Sequence, residues 1–143
     1  MHTIRTILKN KKSAEVWSVS PEDTVLEAIT RMAKLGIGAL LVMDGERLAG
    51  IVSERDYARK IILQGRRSAE TRVVEIMTAD VATAALEMTA QQCLGMRTVG
   101  LFRHLPVVED GRVVGLVSIG DLVKAVIADQ QAVIDELERY VTG

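Results

Sequence analysis

Apolar residues recur at three- and four-residue spacings over Val25, Ala28, Ile29, Met32 and Leu35, the stripe of a helix with one buried face. The polar run Ser20-Pro21-Glu22-Asp23-Thr24 ahead of it supplies a start signal. The period then changes. Ala39 to Met43 is a short apolar run that stops at Asp44-Gly45 and resumes as Leu48 to Val52, which predicts two antiparallel strands joined by a tight turn. A second helical stretch, Asp56 to Leu63, follows Ser53. The same grammar returns as Leu105 to Val108, Asp110-Gly111, Val113 to Val117 and a helix from Asp121 onward. Each copy therefore reads strand, helix, strand, strand, helix. The polar, glycine-bearing stretch Gln64 to Thr71 reads as the linker between copies. Two flanking helices complete the pattern: residues 3–9 carry Ile4, Ile7 and Leu8 on one face, and the tail keeps an apolar spacing through Ile127, Ile134, Leu137 and Val141.

The internal repeat is specific in its chemistry as well as its period. Gly50-x-x-Ser53-x-x-Asp56 corresponds to Gly115-x-x-Ser118-x-x-Asp121, and Asp44-Gly45 to Asp110-Gly111. With the turns so aligned, the second copy is one residue shorter between its two glycines, which predicts a shorter hairpin. Its opening, Val81 to Met88, is a weaker strand signal than Val19 to Asp23, with Leu86 where the first copy has Pro21. Pro106 stands where the first copy has Leu41, and Gly38 is set in the place of His104. A repeat of about 60 residues cannot hide both faces of so small a sheet, so the two copies are expected to pack on each other.

Composition narrows the function. The chain has 143 residues, 48% hydrophobic and 26% charged, a globular balance with a formal net charge of -1, so no global field draws it to nucleic acid or anionic membrane. Its aromatic content of 3% leaves little for single-strand stacking platforms. Apolar runs such as Gly36 to Met43 fall far short of the ~20 residues that span a bilayer, and no signal segment opens the chain, so a cytoplasmic location is expected. The single cysteine, Cys93, has no neighbouring Cys or His at ligand spacing, which excludes a thiolate zinc site. No metal is expected.

The two Gly-x-x-Ser-x-x-Asp segments, Arg103-His104-Leu105-Pro106-Val107, the run from Ser53 to Lys60 and Glu75-Ile76-Met77-Thr78 together resemble a tandem pair of cystathionine-β-synthase (CBS) domains, a Bateman module. The resemblance covers nearly the whole chain and implies an α+β fold, α/β layered: two CBS repeats, each a small three-stranded sheet with two helices, packed by pseudo-two-fold symmetry. The expected division is 1–66, with the N-terminal helix, and 67–143, with the extended C-terminal helix. The family further implies a regulatory module with clefts between the repeats that take AMP, ADP, ATP or NAD(H), and a homodimer forming a disc of four repeats. Any regulated protein would be addressed in trans.

The residues fit that role physically. An ionised Asp accepts two hydrogen bonds from a cis-diol such as the 2′ and 3′ hydroxyls of ribose, which suits Asp56 and Asp121. Ser53 and Ser118 stand where a strand turns into a helix, whose free N–H groups favour a phosphate. Arg55, Arg103 and His104 are the candidate cations. The family places Ser13 to Trp17, including Val16, along the cleft served by Asp121, and Thr78 to Val81 along that served by Asp56; Gly38 and Pro106 are further candidates. The same Ser-x-x-Asp spacing is also a helix capping box, in which the acid reaches back to an orphan N–H. Capping and binding can coexist. His2 reads as a terminal feature without a role, and Lys9 to Lys12 as a solvated helix end. No nucleophile turn, metal-protease motif or Walker loop is present, so no catalysis is expected. The alternatives are a ligand-free dimerisation scaffold and, further off, a nucleotide-hydrolysing enzyme.

Overall fold

The computed structural model describes residues 1–11, 16–96 and 104–142, which divide into two units: Glu15–Val81, and Met1–Ala14 joined with Ala82–Gly143. The fold is α+β, as expected. In the first of these units, α2 (Val25–Leu35) starts at Thr24, whose hydroxyl accepts from the Glu27 N–H while the Glu27 carboxylate accepts from the Thr24 N–H. It ends at Gly36, whose φ of 67° is the left-handed conformation that closes helices. Val25, Ala28 and Met32 are buried against the sheet residues Val19, Leu40, Val42 and Val52. That sheet has the order β1 (Ser18–Val19), β2 (Ala39–Asp44), β3 (Arg47–Ser53), with β1 parallel and β3 antiparallel to β2.

The helix expected over Asp56 to Leu63 is real but not uniform. It begins as α3 (Glu54–Tyr57) and widens into a π turn over Ala58–Ile62, closed by the Leu63 N–H on the Ala58 carbonyl. Ile61 enters the core while Ile62 and Leu63 face solvent. The stretch predicted as a linker is fastened down. It contains a 3-10 turn, Ser68–Glu70, and Thr71, which is fully buried with its hydroxyl on the Arg67 carbonyl. The Val25 N–H donates to the Thr71 carbonyl and the Val73 N–H to that of Asp23, so Val73 and Ile76 complete this core.

The other unit repeats the hairpin as β4 (His104–Glu109) and β5 (Arg112–Ser118), preceded by α4 (Ala90–Leu94) with a Thr89–Gln92 capping box and followed by α5 (Ile119–Thr142). Here α1 (Ile4–Asn10) belongs, not with the first repeat. Ile4 and Ile7 are buried among Ala84, Leu86, Ala90, Cys93, Leu105 and Val117, and the Ile4 and Arg5 N–H groups donate to the Met88 and Leu86 carbonyls. Apolar periodicity located the helix but held no information on which repeat would receive it. His2 also has a role that its terminal position concealed: its backbone N–H and Nδ1 both bind the Asp129 carboxylate on α5.

Two local expectations are corrected. The hairpins are equal in length: Asp44 pairs with Arg47 across two loop residues, and Glu109 with Arg112 across two. The glycines differ instead in position. Gly45, first in its loop, has φ of 64°, whereas in the second loop Asp110 (51°) and Gly111 (77°) are both left-handed. The same registers place Ala39 opposite Ser53 and His104 opposite Ser118, so Ala39, not Gly38, is the counterpart of His104. The third strand of the second repeat is reduced to a single parallel bridge, Ala84 with Val107. Pro106 is the reason. Its counterpart Leu41 donates its N–H to the Trp17 carbonyl, a bond proline cannot make.

Candidate functional site

Each hairpin delivers its Ser-x-x-Asp segment to the first turn of a helix, and both segments form capping boxes. The Asp56 Oδ2 accepts from the Ser53 N–H at 2.9 Å and from its hydroxyl at 3.0 Å, while the Asp56 N–H donates back to the Ser53 Oγ at 3.2 Å. In the second repeat the Asp121 Oδ2 accepts from the Ser118 N–H at 2.8 Å and the Asp121 N–H donates to the Ser118 Oγ at 3.1 Å. Serine is therefore occupied as a cap in both copies.

A lysine completes each arrangement: Lys60 was given no role of its own from the sequence, and Lys11, expected as part of a solvated helix end, is instead part-buried against a carboxylate. The Lys60 Nζ lies 3.4 Å from the Asp56 Oδ1 and donates to the Ile76 carbonyl at 2.8 Å. The Lys11 Nζ lies 2.9 Å from the Asp121 Oδ2 and donates to the Leu116 carbonyl at 2.9 Å. Lys60 stands four residues after Asp56 on the same helical stretch, a spacing that was legible. Lys11 comes from the end of α1, more than a hundred residues away in sequence, and no local signal pairs it with Asp121. Burial alone would raise the Asp121 pKa, but the Ser118 N–H and then Lys11 outweigh it and hold the carboxyl below its ordinary value. The contacts of Asp121 with Ser118 and Lys11 fall on Oδ2, leaving Oδ1 outside them.

Around the first carboxylate, Thr78 pairs with Ile51, each N–H on the other's carbonyl, and the Gly38 carbonyl accepts the Glu54 N–H at 3.0 Å. Gly50 is required there, since a Cβ at this position would come 2.5 Å from the Thr78 carbonyl oxygen. Arg55 is exposed and enters none of the ion pairs formed among the described residues, so Lys60 is the cation on Asp56. Val81 is half-buried at the end of the same unit, which also contains Val16 and Trp17. The Trp17 ring lies under the Arg31 guanidinium, 5.8 Å from its centroid. Around the second carboxylate, His104 is the register partner of Ser118, and Pro106 is buried in β4. Ser13 and Arg103 lie outside the described residues. Among the described residues no His, Cys, Asp and Glu cluster could hold a metal ion, and no helix is long and apolar enough to cross a membrane.

The chain is similar to known proteins along nearly its whole length. The CBS-domain family model matches residues 8–63 and 73–128. A mitochondrial CBS-domain-containing protein of Arabidopsis thaliana is 39% identical over 99% of this chain and 72% of its own length. Three further Arabidopsis CBS proteins are 35–37% identical, and the chain spans only 21–22% of each. Among solved structures, a CBS-domain protein from Burkholderia ambifaria is 51% identical with a TM-score of 0.82, covering 90% of this chain and 96% of that one. A CBS-domain pair solved with 5′-methylthioadenosine and S-adenosylmethionine is 25% identical with a TM-score of 0.75, covering 90% of this chain and 98% of that one. Two family matches in tandem, carried by two hairpins that end in the same capped serine and aspartate, show that the chain belongs to the CBS-domain family as a pair of repeats.

Proposed function

We propose that the protein is a regulatory module that senses an adenosine nucleotide and performs no chemistry of its own. The observation that carries this reading is the duplicated Ser-x-x-Asp turn with a lysine on each carboxylate. In the second repeat, Ser118 and Lys11 fix the Asp121 Oδ2 and favour its ionised form, while Oδ1 remains an acceptor for a ribose hydroxyl. Lys11 and Lys60 bring one cation to each carboxylate, so charge for a phosphate enters both sites from lysine, with Arg55, Arg103 and His104 as further donors. AMP, ADP, ATP and NAD(H) are the candidate ligands, and the adenosine compounds bound by the CBS pair of 25% identity support the same chemical class. Ser13, Val16 and Trp17 are proposed to contact the base in the Asp121 site, and Thr78 and Val81 in the Asp56 site, with Gly38 and Pro106 adjoining. The module is proposed to act as a homodimer, in the cytoplasm, on a regulated protein in trans.

Titration calorimetry with AMP, ADP, ATP, NADH and S-adenosylmethionine tests this. At least one is expected to bind, with affinity reduced about ten- to a hundredfold by Asp121→Ala. A flat titration with all five overturns the reading. A second reading has direct support in the structure: with both serines and both aspartates bonded as caps, the repeats could be a ligand-free scaffold, and the flat titration is its expected outcome. Product formation on incubation with ATP would instead point to an enzyme.

A further inference from the structure

The helix α5 runs for 24 residues but buries only Leu122 and Ala125, with Asp129 on the same side held by His2. A second apolar line runs beside that face and is not covered by the described residues. Val123, Ile127, Gln130, Ile134, Leu137 and Val141 follow one another at spacings of 4, 3, 4, 3 and 4, the period of a helix-pairing seam. Ile127 is 58% exposed, Leu137 59% and Val141 84%, so the seam is open along the length of the helix. One polar residue, Gln130, interrupts it near the middle.

We propose that this seam pairs with the same helix of a second copy of the chain, running antiparallel. Charge decides both the occupant and the direction. The residues after Ala128 include Asp129, Asp135, Glu136 and Glu138 against the single cation Arg139, so a parallel pair would set two acidic ends side by side. Reversing one helix about its centre near Gln131 and Val133 brings Lys124 of one copy opposite Glu138 of the other, twice by symmetry. Ile127 then packs beside the second copy's Leu137, and Val123 beside its Val141. Two and a half heptads are marginal for a free peptide, but α5 is already nucleated by the burial of Leu122 and Ala125, so only the pairing remains to be stabilised. This deepens the homodimer reading above by naming its surface, and it does not depend on the nucleotide.

Sedimentation equilibrium of the full chain tests the proposal, with circular dichroism as the control for folding. The wild type is expected to be a dimer at micromolar concentration. Ile134→Glu with Leu137→Glu alters only exposed positions and should raise the dissociation constant about a hundredfold or more with the spectrum retained. Lys124→Glu alone, or Glu138→Lys alone, should weaken the dimer about three- to tenfold, and the two together should restore it. A wild-type monomer overturns both this seam and the homodimer reading. A dimer that survives the double glutamate substitution overturns the seam alone, and failure of the charge swap to rescue overturns the antiparallel register. Nucleotide titration of the same variants reports separately on the sensing function, since neither Asp56 nor Asp121 is changed.

Discussion

Removing Lys11 tests the contact that ties the first helix to the second Ser-x-x-Asp turn. The Lys11 and Asp121 side chains are 28% and 24% exposed, with Nζ and Oδ2 2.9 Å apart. The pair sits between the ~0.2–1 kcal/mol of exposed ion pairs and the ~1.5–3 kcal/mol of hydrogen bonds to charged groups. A coupling of about 1 kcal/mol is the expectation. Asp121→Ala also removes the acceptor for the Ser118 N–H, so its total cost should be about 2 kcal/mol, whereas Asp121→Asn keeps an oxygen for that N–H and should cost about 1 kcal/mol. A double-mutant cycle of Lys11→Met with Asp121→Asn, followed by urea unfolding, isolates the pair from the loss of the lysine's bond to the Leu116 carbonyl. Acid supplies a second readout. The folded-state pKa of Asp121 is lowered, so its stabilisation is fully present above the unfolded value of about 3.9 and is lost as pH falls through the folded value. The stability gap between wild type and Asp121→Asn should therefore hold from neutral pH to about 5 and close below about 4. A coupling indistinguishable from zero, or a gap that persists at acid pH, would refute this reasoning.

The repeat glycines should differ in tolerance although they occupy the same motif position. Gly50→Ala drives a Cβ to 2.5 Å from the backbone oxygen of Thr78, and thermal unfolding should show a loss of about 1–3 kcal/mol, whereas Gly115→Ala meets the movable Leu8 side chain at 2.7 Å and should lose less. Met32→Ala, at a side chain with 1% exposure in the core under α2, should cost about 2–5 kcal/mol in denaturant titration. Burial pushes the Cys93 thiol pKa up and shields the sulfur, so a thiol-specific chromogenic reagent should label it only at the rate of unfolding. Rapid labelling of the native protein would contradict that placement.

The elements themselves were legible because each announces itself over a few adjacent residues. The stripe from Val25 to Leu35, the Asp-Gly turns and the alternation of apolar runs depend on periods of 3.6 and 2, which sequence displays directly. The Ser-x-x-Asp segments were legible in the same way, since a capping box closes within one helical turn, and the structure shows that box in both copies. The departure at Pro106 was visible too, and the missing N–H is what reduces the second repeat's third strand to the Ala84 bridge. The hairpin register was not, because Gly45 and Gly111 supply positive φ at different loop positions and aligning the glycines displaced the turns by one residue.

What the sequence determined by itself, then, is the larger part of what is encoded within a turn or a strand: the two repeats, the presence of a hairpin in each though not its loop register, their caps and the positions of the two carboxylates. Only the tertiary structure decided which repeat receives α1, and with it that Lys11 stands on Asp121 and His2 on Asp129. Those contacts join residues more than a hundred positions apart, and an apolar stripe such as Ile4, Ile7 and Leu8 fits any complementary groove. Burial against Ala84, Leu86, Cys93 and Leu105 selects one of them, and that selection exists only once the chain has folded.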